Sequence, residues 1–159
     1  VHVFPGGGIE AVDRDAPARF ADRGSSDAAA RVAAVREVAE ECGVRLDPSS
    51  LVPRARWLTP DFEVRRYDTW FYAAAMPEGQ EAVACTTEAE LGGWVRPADL
   101  LAAADAGEAM LLEPTRHALG ALDALGSVAA VLADRPRVER LEPVLVAGPD
   151  GPVVRTVLP

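Results

Sequence analysis

Apolar residues along the chain fall into two kinds of run, one spaced three and four apart, the other dense or alternating. The first kind occupies Asp27 to Cys42. There Val35, Val38, Ala39 and Cys42 share one side of a helix, and Glu37, Glu40 and Glu41 centre nearly opposite them. Ser25, Ser26 or Asp27 can cap the start, and Gly43 stands where a left-handed C-terminal residue is expected. The second kind covers "LVPRARWLT" (51–59) and "VRRYDTWFYAAAM" (64–76), rich in β-branched and aromatic residues, with a turn at Pro60-Asp61. "ELGGWV" (90–95) reads as a third short strand. Val1–Phe4 reads as the end of a strand, halted by Pro5 and Gly6-Gly7-Gly8.

The segment between that glycine run and Asp27 is polar and reads as a loop. Further on, a helix is predicted from Pro97, whose missing N–H costs nothing in a first turn. Others follow over Pro114 to Leu125 and Val128 to Ala133, and the tail resembles a hairpin turning at Gly148–Gly151. No internal repeat or linker interrupts the chain. A single mixed α/β (α+β) domain over residues 1–159 is expected, with a helical and hairpin C-terminal part from about residue 113.

Composition narrows the function classes. The chain has 159 residues, enough to bury a sizeable core. No apolar run approaches the roughly 18 residues of a membrane-spanning helix, so no membrane partner is expected. Sixteen basic residues, all Arg, face 25 acidic ones for a net charge of −9. That balance argues against nucleic acid as a partner, since phosphate backbones require a basic surface. A small phosphate-bearing molecule stays open, because a bound divalent cation inverts the local field. Cys42 and Cys85 lie far apart with no C-x-x-C pattern, which favours a reducing cytoplasm and neither a disulfide framework nor a zinc site. Cys42 reads as a buried thiol. Because the chain opens on Val1 inside an apparent strand, it is expected to be a fragment lacking one or more N-terminal strands.

The stretch "REVAEECGV" (36–44) sets three carboxylates within five residues. Like charges at helical spacing destabilise an isolated helix by roughly a few tenths of a kcal/mol per pair. A hard cation such as Mg²⁺ or Mn²⁺ would turn that repulsion into shared coordination through oxygen ligands. The alternative is a solvated acidic face, balanced by Arg36 and Arg45.

Residue order bears on the choice. "REVAEECGV" fits the second half of the Nudix box, G-x5-E-x7-R-E-U-x-E-E-x-G-U with U aliphatic: Arg36, Glu37, Val38, Glu40, Glu41, Gly43 and Val44 meet every fixed position. "PGGGIEAVD" resembles the loop leading into the box, with Gly7 in place and Asp13 where the family has Glu. The chain departs from the pattern by holding 22 residues between Asp13 and Arg36 instead of seven. An insertion at this point resembles the subgroup that contains the peroxisomal coenzyme A diphosphatases. The stretches 57–74 and 111–122 are also similar to that subgroup.

The resemblance implies a Nudix fold, a mixed sheet sandwiched between helices. It implies divalent-metal-dependent hydrolysis of a diphosphate bond in a nucleoside diphosphate linked to another group, with coenzyme A or an acyl-coenzyme A as one such substrate. Glu37, Glu40 and Glu41 would hold Mg²⁺ or Mn²⁺, with a backbone carbonyl at Gly6 or Gly7 completing the shell. Arg36 would fix a glutamate rotamer. The catalytic set is thus Arg36, Glu37, Glu40 and Glu41. Candidates for the general base are a box glutamate, Glu88 or Glu90, the last two weighed against ordinary surface carboxylates. Arg65 and Arg66 suit phosphate oxygens; on an alternating strand they point to opposite faces, so one at most can face a given site. Trp57, Trp70 and Trp94 fit core packing better than base stacking, and His117 reads as structural. A homodimer is a further expectation. The alternative function is an inactive Nudix module that binds a nucleotide-derived ligand as sensor or scaffold.

Overall fold

The structure is a computed structural model that describes residues 1–15, 26–83, 92–149 and 151–158. At its centre lies β1 (Val52–Leu58), flanked by β2 (Asp68–Ala73) on one edge and the two-residue β3 (Arg140–Leu141) on the other. β2 runs antiparallel to β1 and β3 parallel to it, so the sheet is mixed. Arg56 lies opposite Trp70 and Trp57 opposite Thr69, with a register shift between Pro53 and Ala55. A proline cannot donate to a ladder, and an irregularity beside it accommodates the missing bond.

This register sorts the side chains onto two faces. On one, Ala55, Trp57 and Leu141 form the buried core with Phe71 packed against it. His117, on α4 (Glu113–Leu125), covers Trp57 edge-on at 5.5 Å, and Phe4 meets Phe71 edge-on at 6.3 Å. On the other face, Trp70 stacks on Tyr72, and the Arg31 guanidinium lies 5.3 Å from the Tyr72 ring centre. Arg31 belongs to α2 (Ala28–Cys42) and also donates to the Leu51 carbonyl at 2.6 Å. Helices therefore flank the sheet on both sides.

α2 stops at Gly43, whose φ of 69° is the left-handed value that a β-carbon disfavours. At its other end Asp27 does not cap the helix. Its carboxylate accepts from Arg31 Nε at 2.8 Å and from the Tyr72 hydroxyl at 3.1 Å, tying the first turn to β2. Prolines open α3 (Pro97–Asp105) and α4 as expected, and Ser127 Oγ accepts from the Ala130 N–H to cap α5 (Val128–Ala133). β4 (Val144–Gly148) and β5 (Gly151–Arg155) form the expected hairpin as a separate two-stranded sheet.

Several expectations need correction. Val1–Phe4 is not a strand; its N-terminal part is tied by a bond from the His2 N–H to the Met110 carbonyl. The segment read as a polar loop contains a short helix, α1 (Ala11–Asp15). Residues 64–67 lie in the turn before β2, because the pairing of β1 with β2 ends at Leu58 and Asp68. Residues 92–95 carry no strand, and Trp94 is 79% exposed rather than packed in the core. The apolar side of α2 is half-buried, Cys42 included, and only Ala33 of that helix is buried.

Candidate active site

The glycine run and α2 approach each other closely. Gly6 N–H donates to Glu41 Oε2 at 3.1 Å. A β-carbon added at Gly7 would lie 2.1 Å from Glu37 Oε1, so only glycine leaves room for that carboxylate. Two of the three box glutamates are thereby seated against the loop, while Glu40, with a side chain 57% exposed, faces outward.

Arg36 organises this corner. Its Nε and Nη2 donate to the two carboxylate oxygens of Asp13 at 3.1 and 3.0 Å, a bidentate pair. Nη2 also donates to the Gly8 carbonyl at 3.0 Å. Nη1 lies 2.9 Å from Glu37 Oε1 and 3.2 Å from Glu40 Oε2. A guanidinium carries five N–H donors; here four of them are accepted, by Asp13 twice, Gly8 and Glu40, while Glu37 meets Nη1 through an ion pair.

Asp13 is only 1% exposed, and its Oδ2 accepts a second bond from the Glu10 N–H at 2.8 Å. The hydrogen bonds from Arg36 hold its carboxyl below the usual carboxylate range, against the opposing effect of burial. Reciprocally, Asp13 and then Glu37 raise the basicity of Arg36. The sequence marked Asp13 only as a departure from a motif. Its pairing with a residue 23 positions away was invisible to local pattern, and the box spacing was the one available signal.

Among the described residues, no three acidic, histidine or cysteine side chains converge closely enough to hold a metal ion. Glu37 and Glu40 share Arg36 Nη1, and Glu41 is turned to Gly6. The chemistry of the donor set nevertheless fits a hard divalent cation: three carboxylates beside a glycine turn, with no soft ligand among them. The room left at Gly7 belongs to the same arrangement.

Arg65 and Arg66 lie in the β1–β2 turn. Arg66 donates to the Thr59 carbonyl at 2.9 Å and pairs with Glu142; Arg65 is exposed. No hydrogen bond or ion pair among the described residues joins either to the acidic helix. Trp57 is core and His117 packs on it, as expected, while Trp70 is half-buried beneath Arg56. Glu88 and Glu90 lie outside the described residues.

A glutamate-bearing helix is tied by an arginine to a glycine turn, beside a mixed sheet with helices on both faces: an acidic site on an α+β scaffold. Residues 1–113 match the model of the NUDIX domain. The chain therefore belongs to the NUDIX family. The crystal structure of a NUDIX hydrolase from Alicyclobacillus acidocaldarius superposes with a TM-score of 0.72 at 21% identity, covering 84% of this chain and 80% of that one. That likeness establishes the Nudix fold, and the family match supports a Nudix-type hydrolase. No curated protein sequence matches the chain. No helix among the described residues is long and apolar enough to cross a membrane.

Proposed function

We propose that the protein hydrolyses the diphosphate linkage of a nucleoside diphosphate joined to a second group, using Mg²⁺ or Mn²⁺ held by Glu37, Glu40 and Glu41 with a carbonyl of the Gly6-Gly7 turn. The observation that carries this reading is the seating of Glu37 and Glu41 against the glycine run, with Arg36 fixed by Asp13. An ordinary solvated acidic face has no use for a glycine whose β-carbon would collide with a carboxylate.

When bound, the divalent cation neutralises the substrate's charge and acidifies a water. The protein's own residues supply the rest. Arg36 restrains Glu37 through Nη1, which limits the rotamers from which that carboxylate can act. A box carboxylate, or Glu88 or Glu90, accepts the proton of the attacking water as its oxygen bonds to phosphorus and the bridging P–O bond breaks. The leaving phosphate carries the electron pair away. Arg65, whose guanidinium has no ion-pair partner among the described residues, is the better disposed of the two turn arginines to contact a substrate phosphate. Coenzyme A or an acyl-coenzyme A is the proposed substrate, on the resemblance of the insertion before Arg36 and of the stretches 57–74 and 111–122 to that subgroup.

The test is turnover of a panel of diphosphates with Mg²⁺ or Mn²⁺ and identification of the products. Cleavage within the diphosphate, lost in Glu40→Gln and Glu41→Gln with folding intact, is expected. A second reading, a binding module without turnover, draws on the pairing of Glu37 and Glu40 with Arg36 rather than with one another. It predicts ligand binding but no product from any member of the panel.

A further inference from the structure

We infer that Asp13 is a positioning residue that keeps Arg36 from competing with the divalent cation for Glu37 and Glu40. The inference rests on the metal-dependent reading above. Its ground is how the five donors of Arg36 are shared out. Asp13 takes the Nε–Nη2 edge, the one that grips a carboxylate through two parallel bonds. Gly8 takes the remaining Nη2 hydrogen. Glu40 is left with one N–H, from Nη1, and Glu37 with an ion-pair contact to the same nitrogen.

Each glutamate thus keeps most of its acceptor capacity for another partner, since a carboxylate offers about four lone-pair sites. Asp13 is well placed to hold this division. It is buried, anchored by the Glu10 N–H, and sits on α1, which packs against α2. Glu40 is the residue that would exploit a vacancy. It lies four positions after Arg36, on the same helical face, and its carboxylate, already bonded to Nη1, is exposed enough to turn toward the rest of the guanidinium. Without the Asp13 charge, the bidentate edge of Arg36 turns to Glu40, and a cation must then break a charge-assisted pair to gain that ligand.

The experiment titrates Mn²⁺ into the purified protein and follows the free ion by electron paramagnetic resonance, with no substrate present. Asp13→Asn is expected to weaken Mn²⁺ binding by about tenfold, as the guanidinium charge is no longer offset. Asp15→Asn removes the same charge from an exposed site two residues away and is expected to change binding less than about twofold. Arg36→Gln removes the competitor and is expected to tighten binding by about tenfold. In the Arg36→Gln background, Asp13→Asn should have no further effect, because the two act as one unit. A Kd for Asp13→Asn equal to that of the wild type, an effect that persists without Arg36, or an Arg36→Gln protein that binds no tighter overturns the inference. Should Asp13→Asn lose its circular dichroism signature of folding, Arg36→Gln decides alone by the same criterion. A wild type that binds no Mn²⁺ removes the metal-dependent reading itself. A wild type that binds, with variants that bind alike, removes only the role given to Asp13.

Discussion

Replacing Gly7 by alanine separates the site's chemistry from the stability of the fold. The added β-carbon would stand 2.1 Å from Glu37 Oε1, 2.4 Å from Cδ and 2.7 Å from Oε2. Ordinary contact between heavy atoms is about 3.5 Å, so the carboxylate must retreat by about 1.4 Å. The obstacle is the end of a flexible side chain, and Gly7 does not have a positive φ. The fold therefore yields cheaply, at about 0.5–1.5 kcal/mol for an off-rotamer glutamate, together with the loss of the Arg36 Nη1 contact. The chemistry does not. A displacement of about 1 Å at a reacting centre can cost about 10²-fold in rate. The expected result is a melting temperature lowered by no more than roughly 6 °C for a domain of this size, with turnover reduced at least about 10²-fold. The measurements are thermal unfolding by circular dichroism and product formation on the best diphosphate of the panel. A Gly7→Ala protein within about threefold of wild-type kcat would refute the seating of Glu37 as a catalytic requirement.

Other expectations follow from the same contacts. Asp13→Ala strands one edge of Arg36, and the loss is about 2–3 kcal/mol at neutral pH, below the usual cost of breaking a buried pair because Arg36 retains Gly8 and two glutamates. The Asp13 carboxyl titrates below its ordinary value of about 3.9, so its contribution is full above that pH and fades as pH falls toward the folded value. Urea unfolding at pH 7 and pH 3 should show the gap between wild type and variant shrinking in acid; an equal gap at both would contradict the ion pair. Added Mn²⁺ at about 100 times its Kd should stabilise the fold by about 2.7 kcal/mol, read by thermal shift, and Glu41→Gln should blunt that gain. Trp57→Ala should cost about 3–5 kcal/mol by opening the core. Trp94→Ala, at an exposed position, should stay within about 0.5 kcal/mol, which chemical denaturation can resolve.

Much of the fold was legible because local signals agreed with tertiary packing. Gly43 ended its helix, Pro97 and Pro114 fell in first turns, and the last hairpin turned at Gly148–Gly151. Asp27 broke the pattern: its carboxylate serves Arg31 and Tyr72, a choice that depends on a strand 45 residues away. The sequence does not show where β2 begins, because Val64, Arg65, Arg66 and Tyr67 carry no local stop signal. Their fate is set by where β1 runs out of partners. The five residues of α1 are too few to carry a periodic signal. At the site, the order of residues marked the acidic cluster and Gly7. The burial of Asp13 and the five-way sharing of Arg36 depend on chain segments meeting across the 22 residues between them, which no window of neighbours can reveal.

The two-residue strand β3 has a practical consequence. The match to the family model ends at residue 113, yet Leu141 fills the core against Trp57 and His117 lids the same indole. A polypeptide cut at the end of that match would expose the hydrophobic heart of the sheet along an open edge, inviting self-association. The end of the family match and the end of the packed core fall at different places in this chain.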